Sequence, residues 1–180
     1  MLLGPDGGAT WTATFTAFSL NATKVEEGRP EVWDDPEMAP NLLAMELGIA
    51  VRDNLPDDFD RVHLALFTAR HDDGLDLREE AVLRRVLTEQ GVDAEKVFET
   101  VAGGGPRRTI RAEHASVVEE LAVFGVPTVI AGDPPDAVFV RVMSRPDGDA
   151  ALARRTVEQV LDLLVGCPDL NEFKHTRISQ

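Results

Sequence analysis

A chain of 180 residues with 43% hydrophobic and 28% charged residues can bury a sizeable core, and its length suits one domain or one domain carrying a large insertion. Its net charge of −14 repels phosphate backbones and anionic lipid surfaces, so neither nucleic acid nor a membrane is an expected partner. No apolar run approaches the roughly 20 residues of a membrane span, residues 1–6 have neither the basic nor the apolar region of a signal peptide, and the single cysteine, Cys167, excludes an intrachain disulfide framework, which together predict a cytoplasmic protein in a reducing compartment.

Residues 1–8 are rich in glycine and proline and read as irregular. Over residues 9–20 the pattern alternates: Trp11, Ala13, Phe15 and Ala17 share one side, Thr10, Thr12, Thr14 and Thr16 the other. A period of two in β-branched and aromatic residues predicts a strand. A polar loop over 21–35 follows, with Trp33 as an anchor onto the core. From Pro36 the period becomes helical: Met38, Leu42, Met45 and Ile49 recur at four, three and four, with Leu43 and Leu47 alongside, and Pro40 fits the first turn.

Pro56 stops that helix. Asp57 or Asp58 then caps a second carrying Phe59, Val62, Leu66 and Ala69 and ending near Gly74. Asp76-Leu77-Arg78-Glu79 is a variant capping box opening a helix with Val82, Leu83, Val86 and Leu87 inward and Gly91 at its close. Asp93 caps a short helix through Val101, and Gly103-Gly104-Gly105-Pro106 breaks the chain. Residues 107–124 form a longer helix with Ile110, His114, Val117, Val118 and Leu121 on one face. Pro127 suits the first position of a strand, because it has no N–H to give to a ladder. Thr128-Val129-Ile130 continues that strand to Ala131, Gly132-Asp133-Pro134-Pro135-Asp136 turns the chain, and residues 137–143 run back antiparallel. Asp149 caps a last helix with Leu152, Val157, Val160, Leu161 and Leu164, Gly166 lies at its C-terminal end, and the polar tail packs through Leu170 and Phe173.

A strand, a helical block, Val126-Pro127-Thr128 at a helix-to-strand junction, a hairpin partner and a closing helix resemble the DsbA family of thioredoxin-like oxidoreductases. The resemblance extends to Phe18-Ser19-Leu20, to Leu64-Ala65-Leu66-Phe67-Thr68-Ala69, to Met143-Ser144-Arg145-Pro146 and to Glu172-Phe173-Lys174-His175-Thr176-Arg177, the last two looking like the actinobacterial branch of mycothiol-dependent nitroreductases. It implies an α/β fold of thioredoxin-like, DsbA type with a helical insertion between strands, as one domain over 1–180: the strand at 9–20, the insertion at 36–105, and a cis-proline strand hairpin with closing helix at 106–166. It also implies a cis bond before Pro127 and a substrate-binding role for Val126, Pro127 and Thr128, facing a redox cysteine, with a thiol or disulfide small molecule or protein as partner. Mycothiol or a similar low-molecular-weight thiol would be the reductant.

Members of that family open with a strand followed by a Cys-Pro-x-Cys-type motif at the start of the first helix, and no Cys-x-x-Cys occurs in this sequence. The first βα unit is missing, so we expect the sequence to be a fragment of such a domain. In the thioredoxin sheet that first strand is central, and its loss would leave residues 10–18 without their usual neighbour, at a cost on the order of several kcal/mol.

Cys167 follows Gly166 at a helix C-terminus, where the dipole disfavours a thiolate, and reads as inert. His114 on an apolar face reads as a packed histidine; His63, His71 and His175 show no metal-ligand spacing, and no metal site is expected. Arg107, Arg108 and Arg111 are the densest basic cluster and a candidate hold for an anionic thiol, although Glu113, Glu119 and Glu120 close by in sequence make a solvated, ion-paired face the simpler reading. Gly103–Gly105 lacks the Lys-Ser/Thr of a phosphate loop. With no catalytic residue to assign, two functions remain: a thiol–disulfide or mycothiol-linked oxidoreductase, inactive as this polypeptide, or a non-enzymatic thioredoxin-like interaction module whose open sheet edge predicts a homo-oligomer or complex.

Overall fold

The computed structural model describes residues 11–24, 28–141 and 148–170. Six helices and one hairpin make up its regular structure apart from two short 3-10 turns, Ala22–Lys24 and Pro36–Met38: α1 (Ala39–Asn54), α2 (Pro56–His71), α3 (Glu80–Glu89), α4 (Ala94–Ala102), α5 (Gly105–Leu121), β1 (Thr128–Ala131), β2 (Asp136–Phe139) and α6 (Ala150–Gly166). This mostly helical order with a small antiparallel sheet is that of the expected α/β, DsbA-type class. The chain divides into two compact units, Thr16–Val118 and Met1–Phe15 with Glu119–Gln180.

In the first unit α1 is the organising helix, because it is apolar on two sides. Leu47, Ala50 and Val51 pack with Phe59, Val62, Leu66 and Ala69 of α2, Leu83, Val86 and Leu87 of α3 and Val97 of α4. Leu42 and Ile49, on its other side, pack with Ala17, Val32, Trp33 and Ile110. Between these two clusters Glu46 is 3% exposed. Its carboxylate is paired with the Arg107 guanidinium, which also reaches the Trp33 carbonyl.

Several local expectations are corrected. Residues 11–20 form no strand; among the described residues the sheet contains β1 and β2 alone. Alternation supplies a strand's side-chain pattern but not its partner, and here two N–H groups of the segment go to side chains instead: Ala17 N donates to Glu113 Oε2 at 2.6 Å and Ser19 N to His114 Nδ1 at 3.4 Å. Pro56 does not merely end α1; it begins α2, where its missing N–H costs nothing, and Asp57 and Asp58 lie in the first turn without capping it. Asp76 accepts from Arg78 N at 3.0 Å and grips the Arg78 side chain, closing a turn ahead of α3 rather than capping the helix, which starts at Glu80. Asp93 and Asp149 do cap α4 and α6, accepting from Lys96 N and Leu152 N. α5 ends at Leu121, before Ala122 at φ +52.

In the second unit β1 and β2 pair antiparallel with Thr128 opposite Phe139 and Ala131 opposite Asp136, and α6 packs on both strands. β2 stops at Phe139, short of the expected 143; residues 142 and 143 lie outside the described residues, as do Phe173 and the segments 144–146 and 172–177 on which part of the resemblance rested. Gly132 is required at the turn, where φ is +99° and a Cβ would meet the Pro134 carbonyl oxygen at 3.0 Å. Leu170, one of the two residues through which the tail was expected to pack, is exposed.

Candidate functional site

The loop between α5 and β1 is built by a few fixed points. Val123 is buried at 7% exposure just beyond the helix end. Gly125 is buried with the Phe139 ring against its Cα; a Cβ there would meet that ring at 3.0 Å. The Thr128 hydroxyl donates to the Gly125 carbonyl at 2.7 Å, closing the loop on itself, and the Pro127 carbonyl accepts from Val140 N at 3.0 Å, carrying the hairpin ladder one step past β2. The Val126–Pro127 peptide bond is cis, as is Asp133–Pro134.

What these points hold outward is apolar. Phe124 is 67% exposed and packs at a tilt against Phe139 with centroids 5.0 Å apart, and Val126 is 45% exposed. From Phe124 to Gly132 no residue carries a charge, in a chain with 28% charged residues. β1 joins β2 along one edge, and among the described residues no strand lies on its other edge. A pinned, apolar, uncharged loop running into an open strand edge can pair with the backbone of an extended chain while Val126 and Phe124 contact its side chains.

The remaining candidates are placed elsewhere. Cys167 is exposed at the C-terminal end of α6, its own N–H given to the Leu163 carbonyl. Arg107 and Arg111 do not form an anion site: Arg107 is consumed by Glu46, and Arg111 by Glu31 at 2.5 Å and Asp34 at 3.5 Å. These partners come from α1 and the 31–35 loop, not from the neighbouring glutamates of α5. His63 stacks between Phe59 and Phe67 along α2, centroids 5.0 and 4.9 Å away, and burial lowers its pKa. No group of three metal-ligating side chains occurs among the described residues, and no helix there is long and apolar enough to cross a membrane.

His114 is packed, as its apolar face suggests. Its ring lies 4.6 Å from Phe18 and 5.6 Å from Trp33, and burial holds its pKa below the ordinary value. The neighbouring Glu113 was legible only as a surface glutamate. It receives Arg52 through two bonds, 2.6 and 3.0 Å long, besides the Ala17 N–H, and those bonds raise the Arg52 pKa despite partial burial. Arg52 and Glu113 are 61 residues apart, and no local motif announces the pair.

A family model for the DSBA-like thioredoxin domain matches residues 20–147, a span that takes in the helical block, the 124–128 loop and the hairpin. Comparison with curated proteins returns no significant match.

Proposed function

The chain belongs to the DsbA-like thioredoxin family, a family of the thiol–disulfide oxidoreductase type, and on that basis we propose that Val126, Pro127 and Thr128 are a docking loop for an extended thiol or disulfide substrate. The observation that carries this reading is the loop itself: fixed by the Thr128–Gly125 bond and the buried Val123, it leaves Val126 45% exposed directly ahead of an open strand edge. By resemblance to the mycothiol-dependent branch, the reductant is mycothiol or a similar low-molecular-weight thiol. Arg107 and Arg111 are not its site, since both are already paired. One cysteine at a helix C-terminus fits a reducing compartment such as the cytoplasm and supports no nucleophilic attack, so this polypeptide binds but does not turn over.

A fluorescent peptide carrying a mixed disulfide tests both parts. Anisotropy should show saturable binding to the wild-type chain that weakens about tenfold or more in Val126→Asp, which sets a carboxylate against the incoming backbone. Equal binding by the variant refutes the docking loop. Disulfide reduction that survives Cys167→Ala refutes the inactivity.

The exposed Phe124 and the same open edge favour a second reading, a non-enzymatic interaction module that pairs with a protein partner or a second copy. A well-folded monomer on size-exclusion chromatography counts against self-pairing.

A further inference from the structure

Ala17 and Ser19 give their N–H groups to two consecutive side chains of α5, Glu113 and His114, in the way alternate N–H groups of a strand edge are taken by a neighbouring strand. The two acceptors differ in kind. Glu113 is a carboxylate held by Arg52 through two bonds. His114 accepts through Nδ1, so its single proton sits on Nε2, and it accepts only while the ring is neutral. A second proton on Nδ1 would point at the Ser19 N–H, donor against donor, at a site where Ser19 is 2% and Phe18 8% exposed.

We infer that the Glu113–His114 pair is a pH-sensitive latch on residues 17–19, closed while His114 is neutral and opened by its protonation. The charged groups on the surrounding elements do not offset that proton. Residues 17–19 carry none. The 31–35 loop brings Glu31 and Asp34, both on Arg111, and Asp35, near Arg29 and capping Glu37 N. α1 brings Glu46, on Arg107, and Arg52, on Glu113. Each carboxylate is already matched to a guanidinium, and desolvation under Phe18 and Trp33 is what disfavours the imidazolium.

The direction follows from linkage. A histidine whose pKa is lowered on folding contributes stability that is complete above its unfolded value of 6.5 and is lost as pH falls through the folded value. For a ring that titrates at 6.5 when the latch is open and stays neutral when it is closed, the open population at pH 5 rises by at most about thirtyfold.

Hydrogen–deuterium exchange on the full chain, followed in peptides covering residues 16–20 and corrected for the intrinsic pH dependence of exchange, reads this out. Wild type should lose protection severalfold, up to that ceiling, between pH 7.5 and 5, while peptides from the α2–α3 core keep theirs. His114→Gln, which cannot titrate, should remove the pH dependence. Should that variant not fold, NMR of wild type replaces it: the Ser19 amide and the His114 ring should titrate with one midpoint below 6.5. Protection that does not change with pH, a pH-dependent loss that persists in His114→Gln, a loss abolished by Glu113→Gln alone, or separate midpoints would each overturn the latch.

Discussion

Arg107→Leu is the sharpest test of how the helical unit is held together. Glu46 sits between the two apolar clusters on α1 at 3% exposure, and the Arg107 guanidinium is the group that compensates its charge. Removing one partner of a buried pair typically costs about 3–5 kcal/mol, because the remaining charge is enclosed without compensation. The Arg107 side chain is itself 34% exposed, so water can follow the truncated side chain toward Glu46, and we expect the lower end, about 3 kcal/mol. Glu46→Gln keeps an acceptor for the Arg107 N–H and loses mainly the charge assistance, about 1 kcal/mol. Replacing both partners by leucine should cost less than Arg107→Leu alone, since no charge is left to solvate.

Urea unfolding followed through Trp33 fluorescence, in a Trp11→Phe background, reports on this unit, because Trp33 lies in the cluster that Arg107 touches. The midpoint should fall with the slope unchanged. A cost below about 1 kcal/mol for Arg107→Leu, or singles that simply add in the double variant, would refute the argument that this pair compensates a buried charge.

Leu87 is fully buried in the four-helix cluster whereas Leu64 is 50% exposed on α2. Leu87→Ala should cost about 3 kcal/mol and lower the melting temperature by roughly 6–12 °C, while Leu64→Ala stays within about 0.5 kcal/mol in the same thermal scan. Gly125→Ala places a methyl 3.0 Å from the Phe139 ring, which packs against Phe124 and must shift by a few tenths of an ångström. We expect about 1–2 kcal/mol of destabilisation in the hairpin unit and weaker binding of the mixed-disulfide peptide. Phe139→Leu, by making room, should relieve part of that cost in the double variant, and a double variant no better than the sum would show that the ring is not the obstacle.

The helical block was legible because its signals are local. The i, i+3, i+4 spacing of Leu42, Met45 and Ile49 needs only the chain's own geometry to predict α1, and the caps at Asp93 and Asp149 are each decided within three residues. The 124–128 loop and β1 were legible for a similar reason: Gly125 weakens a helix locally, while Pro127 and the β-branched run 128–130 restrict the backbone where they stand. What escaped was decided at a distance. The partners of Arg107 and Arg111 are 61 to 80 residues away, on elements whose packing brings them together, and the glutamates next to these arginines in sequence proved to be the wrong ones.

Residues 9–20 show the limit most clearly. Their alternation is the pattern of a strand, but burial does not keep to it: Ala17, Phe18 and Ser19 are buried in succession, while Phe15 is 40% exposed. A strand, however, is a statement about two segments, since its backbone N–H groups must be accepted by something. At Ala17 and Ser19 the acceptors are a carboxylate and an imidazole on α5. Satisfying those donors with side chains keeps the segment on the core without a ladder, and it exchanges a pH-independent carbonyl acceptor for His114, whose capacity to accept ends with its protonation. The acceptor that Ser19 finds in place of a strand's carbonyl is thus the group on which the inferred pH response rests.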